Sequence, residues 1–157
     1  MPLLITSHKT PVGTLNLLAD DQILIGANLS TVSAFKVGCD VKVVKSIPVI
    51  SDLVSDYFDG DLTALNGIQV RQPGAAFSQA AWKAMRKISP GKTWSYSDLA
   101  EKAGSPAAVR AAGSACANNA IMLVVPCHRV VKTGGALGNY AYGVDKKQWL
   151  LSHEGFL

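Results

Sequence analysis

The chain has 157 residues, 48% hydrophobic and 17% charged, with a net charge of +4 at neutral pH. That length suits one ordinary domain or two small ones, and that composition excludes a disordered chain, because enough apolar surface is present to build a core. No apolar run approaches the ~20 residues that span a bilayer, and the start Met1-Pro2-Leu3-Leu4-Ile5 turns polar without a signal-peptide pattern.

Charge is divided unevenly. Residues 1–72 hold 5 Lys/Arg against 7 Asp/Glu, and residues 73–157 hold 10 against 4. A basic second half points to a polyanionic partner, although charge alone also serves solubility. The 3 cysteines, Cys39, Cys116 and Cys127, cannot all pair. An odd, sparse count without an export signal implies a reducing, cytoplasmic setting. There is no C-x-x-C and no histidine cluster, so no metal site is expected.

In chain order, Thr14 to Ala19 and Ile23 to Leu29 are apolar-rich runs around Asp20-Asp21-Gln22, which predicts a hairpin. Asp40 to Lys45 alternates valine with polar residues and predicts a third strand, with Cys39 at its start. Pro48 to Phe58 has helical apolar spacing with proline in the first turn, and Gly60 falls in the exit. Asn66 to Gly74 reads as a linker, which places the domain boundary between residues 1–72 and 73–157. Ser78 to Ile88 sets Ala81, Trp82, Met85 and Ile88 on one helical face. Ser95 to Ala103 predicts a short helix capped by Ser95 with Asp98 three residues on. Gly104-Ser105-Pro106 turns the chain into an alanine-rich helix over Ala107 to Ala117. Two short helices around such a turn match a helix-turn-helix pattern, and equally an ordinary helical hairpin. Ala107, Ala108, Ala111, Ala112, Ala115 and Ala117 would let that helix approach a surface closely, with Arg110 as its one long cation. Alanine is also simply the best helix former.

The run Val124-Val125-Pro126-Cys127-His128-Arg129-Val130-Val131 carries the chemistry. A thiol attacks well only as thiolate, and a neighbouring imidazole can take its proton. A lone buried cysteine more often just fills space, but here His128, Arg129 and the Pro126 break coincide. A glycine-rich loop follows over residues 132–143, with Tyr140 and Tyr142 as flat pocket walls. It has no P-loop spacing. Val144 to His153 returns to helix with Trp149 and Leu150 apolar, and Glu154 closes it. A carboxylate there opposes the helix dipole, which marks Glu154 as a partner for His128. His8 and His153 carry no assignment beyond surface solvation and dipole complementation, and Cys116 reads as packing.

Pro126-Cys127-His128-Arg129, together with Ser95-Tyr96, Arg110-Ala111-Ala112-Gly113, Asn119, Gly138-Asn139-Tyr140 and Trp149 to Gly155, resembles the O6-alkylguanine-DNA alkyltransferase family. The resemblance is detailed over residues 77–155 and weak over 1–72. It implies an α+β fold: a small N-terminal β-sheet domain, ribonuclease H-like, over 1–72 as scaffold, and a C-terminal helical domain over 73–157 with a winged helix-turn-helix-like motif. It implies irreversible transfer of an alkyl group from O6 of guanine, and from O4 of thymine, to Cys127 in a single-use reaction without cofactor. His128 would act on Cys127 through a water, oriented by Glu154, since neighbours on an extended strand face opposite ways. Asn119 would hold the turn that carries the cysteine, and Tyr96 would donate a proton to the departing guanine or meet the phosphate beside the lesion. Arg110 would fill the gap left by a flipped nucleotide, with Ala107, Ala108, Ala111 and Gly113 against the DNA. Tyr140, Val130, Tyr142 and Pro126 would line the pocket. The implied partner is double-stranded DNA bearing O6-alkylguanine, bound by a monomer, with cooperativity along DNA left open and no membrane contact.

In this family the position of Tyr142 is commonly glycine, so a narrowed alkyl pocket is expected. The cysteine-rich module of adaptive-response relatives is missing from residues 1–72, which argues against transcriptional activation. The competing readings are a non-reactive sensor of the alkylated base, a plain DNA-binding module with a structural cysteine, and a cysteine hydrolase. The last would need an oxyanion hole that no residue pattern reveals.

Overall fold

The computed structural model describes residues 2–38 and 40–157; Cys39 lies outside the described residues. The chain forms two compact units, Met1–Gln72 with Ala120–Val124, and Pro73–Asn119 with Val125–Leu157. Residues 120–124 therefore count with the first unit, whereas the sequence reading gave all of 73–157 to the second.

The first unit is a five-stranded sheet in the order β4-β1-β2-β3-β5. Its strands are β1 Leu3–Thr10, β2 Gly13–Asp20, β3 Ile23–Asn28, β4 Val41–Val43 and β5 Gln69–Val70. The first three form an antiparallel meander, while β4 runs parallel to β1 and β5 parallel to β3. The predicted hairpin is β2-β3, and Asp21 takes the left-handed conformation (φ 54°) that its short polar side chain tolerates. The central position of β2 explains why Leu15 to Ala19 are buried on both faces. β1 is a strand the sequence reading did not name, and β5 lies inside the stretch it treated as linker. Helix α1, Ile50–Phe58, buries Ile50, Val54 and Tyr57 at helical spacing. Pro48 precedes the helix instead of entering its first turn.

The second unit is helical around a two-stranded parallel ladder, β6 Trp94–Ser95 with β7 Val130–Val131. Helix α2 spans Ala76–Met85, α3 Tyr96–Lys102, α4 Val109–Ala117 and α5 Val144–His153. α2 buries Ala81, Trp82, Ala84 and Met85, and Trp82 Nε1 donates to the Ala115 carbonyl at 2.9 Å, which fastens α2 to α4. α3 starts on a full capping box: Asp98 N–H donates to Ser95 Oγ and Ser95 N–H to Asp98 Oδ2, both at 3.0 Å. α3 packs against α4. Ala107 and Ala108 fall before α4, with Ala108 as its cap residue. On α5 the buried side chains are Lys147, Leu150 and Leu151, and Trp149 is only half-buried, stacked on His153 with centroids 4.8 Å apart. No helix among the described residues is long and apolar enough to cross a membrane.

Candidate active site

The second unit assembles its site from the turn at Cys127, the end of α4, the start of α3, the glycine-rich loop and α5. Pro126 (φ −83°, ψ 67°) makes an inverse γ-turn, closed by a 2.8 Å bond from Cys127 N–H to the Val125 carbonyl. A single 3₁₀ turn, Cys127–Arg129, follows and leads into β7. Cys127 and His128 are thus not neighbours on an extended strand, as the sequence suggested. Within the turn the two side chains meet different partners, Cys127 the Asn119 amide and His128 the Glu154 carboxylate.

Cys127 is 8% exposed. Burial pushes its thiol up from the ordinary value, while the hydrogen bond from Asn119 and the charge of Lys147 pull it back down. Asn119 Nδ2 donates to the Val125 carbonyl at 2.8 Å and reaches Cys127 Sγ at 3.5 Å. One amide therefore both ties down the γ-turn and touches the sulfur. Tyr96 opens α3, and burial raises its phenol, with Cys116 and Cys127 adding to the effect. The glycine-rich loop crosses close to that phenol. Gly138 has φ +76°, and a Cβ there would sit 3.3 Å from Tyr96 Oη, so both the backbone and the approach call for glycine.

His128 is fully buried, and its Nε2 lies 2.8 Å from Glu154 Oε2. Glu154 in turn receives Arg129 Nε on Oε1 at 2.8 Å and Arg129 Nη2 on Oε2 at 2.9 Å, while Arg129 Nη1 donates to the Ile88 carbonyl at 2.7 Å. Burial alone would raise the Glu154 carboxyl. The bonds from His128 and Arg129 overcome that and hold it well below the usual carboxylate range. An ionised carboxylate only accepts, so His128 must donate from Nε2. Burial also lowers the His128 pKa despite Glu154, so the ring is neutral, and its bare Nδ1 has no hydrogen-bond partner among the described residues.

Sequence reasoning missed Lys147 and gave Arg129 no role. Lys147 is 1% exposed, and its Nζ donates to the Val130 carbonyl at 2.7 Å and the Asn139 carbonyl at 3.3 Å. It joins the Cys127 turn to the glycine-rich loop, and burial lowers its pKa while the two thiols raise it. Its place in the spacing Lys147, Leu150, Leu151, Glu154 was the available signal: one buried helical face carries both charges.

The remaining candidates divide. Tyr140 and Tyr142 meet edge to face at 5.7 Å, and Tyr142 is half-buried within electrostatic range of Cys127. Val130 and Pro126 are buried beside the turn. Arg110, Ala107 and Ala111 are exposed, and Ala108 and Gly113 are half-buried. Cys116 is half-buried, its thiol pushed up to about 12, chiefly by burial. His8 is not simply solvated: its Nε2 lies 2.9 Å from Ser51 Oγ. No cluster of three metal-binding side chains occurs among the described residues.

The site holds a buried thiol and, one residue on in the same turn, a buried, carboxylate-held imidazole, on a mixed α+β fold with packed short helices. The family model for the 6-O-methylguanine DNA methyltransferase DNA-binding domain matches residues 76–156. The methylated-DNA–protein-cysteine methyltransferase of Salmonella typhimurium is 44% identical over 108 residues, 69% of this chain and 63% of the relative. That of Mycolicibacterium paratuberculosis is 35% identical over 147 residues, 92% of this chain and 88% of the relative. Among solved structures, the O6-methylguanine methyltransferase of Mycobacterium tuberculosis superposes with a TM-score of 0.85 at 30% identity, covering 97% of this chain and 92% of that one. The same organism's protein in complex with DNA gives 0.86 at 30% identity, over 96% and 92%. The chain belongs to the 6-O-methylguanine DNA methyltransferase family. It spans 63% of the length of the first curated relatives it matches.

Proposed function

We propose that this protein repairs DNA by moving the alkyl group from O6 of guanine, and from O4 of thymine, to Cys127 Sγ. The observation that carries the reading is the buried thiol next to a neutral His128 whose Nε2–H is committed to Glu154 and whose Nδ1 is bare. Nδ1 receives the thiol proton through a water. The thiolate attacks the alkyl carbon, the carbon–O6 bond breaks with its electron pair on the base, and Tyr96 supplies a proton to the departing guanine. Asn119 holds the turn and the sulfur throughout. The product thioether has no leaving route at neutral pH, so each molecule reacts once, and the step as written needs no cofactor.

An alkyl group on O6 is shielded inside the duplex, so the base must leave the stack at a cost of a few kcal/mol. Exposed Arg110 fills the gap it leaves, and the small residues Ala107, Ala108, Ala111 and Gly113 let the backbone approach DNA. Tyr140, Tyr142, Val130 and Pro126 line the pocket. Packed α3 and α4 support a helix-turn-helix, with the residue 132–143 loop as wing. The antiparallel meander with a parallel flanking strand supports a ribonuclease H-like scaffold in the first unit. The protein acts on duplex DNA as a cytoplasmic monomer.

The test is intact-protein mass after mixing with duplex DNA carrying one O6-methylguanine, with Cys127→Ser in parallel. A gain of one methyl on the wild type alone supports transfer to Cys127. Lesion-selective binding without mass change replaces it with a sensor. Tyr142 adds a specificity prediction: methyl adducts react well and benzyl adducts poorly, and Tyr142→Gly speeds benzyl transfer about tenfold, as relief of one ~1–3 kcal/mol pocket restriction implies. Equal benzyl rates in both proteins sink that part.

A further inference from the structure

We propose that Arg129 is a positioning residue for alkyl transfer: by locking the Glu154 carboxylate it sets the proton affinity of His128. The inference rests on the reading of Cys127 as acceptor and His128 as its base. The guanidinium is fixed at three points, two on the carboxylate and one on the Ile88 carbonyl. The paired side chains of Arg129 and Glu154 are 5% and 0% exposed, so water screens neither charge. Arginine is always protonated. Its fork keeps Glu154 ionised and fixed in orientation, which forces His128 to donate from Nε2 and leaves Nδ1 as the only basic atom of the ring.

The second consequence is electrostatic. A bare buried carboxylate at 2.8 Å would favour the imidazolium. That form holds a proton on Nδ1 and cannot take one from the thiol. Burial is the main force that keeps the ring neutral, and the Arg129 charge adds to it by opposing the pull of the carboxylate. The other charged groups around His128 are few. α5 contributes Glu154 and Lys147, and Lys147 also disfavours the imidazolium. Cys127 and Arg129 share its turn, and β7 brings only Val130 and Val131. α2 packs against the turn; its one ionisable side chain, Lys83, is exposed, and half-buried Arg86 follows it.

The experiment is single-turnover methyl transfer from an O6-methylguanine duplex between pH 5 and 9. It compares wild type, Arg129→Met, Arg129→Lys, Glu154→Gln and Ser95→Ala, the last a stability control away from the carboxylate. In Arg129→Met the acid limb of the profile moves to higher pH by about one unit or more. Arg129→Lys keeps the charge but loses the fork, and its limb lies between those of Arg129→Met and wild type. In Glu154→Gln the limb moves to lower pH. A rate lowered by one factor at every pH in Arg129→Met overturns the proposal, as does an equal displacement in Ser95→Ala. If Arg129→Met does not fold, a profile of Arg129→Lys that superposes on the wild type overturns it. Absence of methyl transfer by the wild type at every pH is a different result, which removes the acceptor reading itself.

Discussion

His128 and Glu154 both tie the stability of this protein to pH in the same direction. An unfolded histidine has a pKa of ~6.5 and an unfolded glutamate ~4.3, and burial depresses the folded His128 value while hydrogen bonds depress that of Glu154. In each case the unfolded chain binds more protons just below its own pKa, so stability falls as the pH drops. His8, also lowered by burial, adds to the first step. The urea midpoint is therefore expected to be level above about pH 7, to fall through the histidine range, and to fall again below about pH 4. Glu154→Gln removes the second fall; a midpoint unchanged from pH 7 to 4 contradicts the assignment. At this scale the thiol, imidazole and carboxylate were legible because they sit in short motifs. Arg129 and Lys147 were not, because charged side chains are mostly exposed and only the fold reveals their buried partners. Arg129 needed the Ile88 carbonyl 41 positions away, and Lys147 needed the backbone of the glycine-rich loop.

At the scale of elements, local chemistry was a sound guide where it was strong. The Ser95–Asp98 box marks the start of α3, and the apolar spacing of α1 gives its buried face. It failed where an element has no period to detect. β6 and β7 have two residues each, and their pairing is set by tertiary contact. β1 begins with an unbroken apolar run, Leu3-Leu4-Ile5, and alternates only weakly after it. The entry to α1 hides a strained turn. Val49 has φ 68° and ψ −53°, and Ile50 N–H bonds the Pro48 carbonyl at 2.8 Å. That is the positive-φ γ-turn, which a β-branched residue adopts only under strain. The side chain is 55% exposed, so it contributes little packing in return. Val49→Gly relieves ~1–3 kcal/mol of strain and loses ~0.5–1 kcal/mol to the greater freedom of unfolded glycine. The expected net is about 1 kcal/mol of added stability, read as a higher urea midpoint at unchanged slope. A lower midpoint shows that the turn is not strained.

For the molecule as a whole, charge separates from chemistry. Residues 73–157 carry a net +6 and residues 1–72 a net −2, yet the buried ions at Glu154, Arg129 and Lys147 face no solvent. The proposed affinity for DNA would then come from exposed cations such as Lys132, in the glycine-rich loop, and Arg110, on α4. Each phosphate neutralised steepens the fall of log affinity with log salt by ~0.9. Three such contacts weaken binding about forty-fold between ~50 and ~200 mM salt. The two exposed cations are expected to differ. Under the proposed DNA binding Lys132 would meet a phosphate, so Lys132→Ala is expected to lower the slope by about 1 and weaken all sequences alike. Under the proposed role of Arg110 in the base stack, Arg110→Ala leaves the slope nearly unchanged and slows methyl transfer instead, because an extruded base would no longer be replaced. Fluorescence anisotropy over a salt series, with single-turnover transfer on the same proteins, separates the two. An Arg110→Ala slope reduced by a full unit at unchanged transfer rate would move Arg110 from the stack to the backbone.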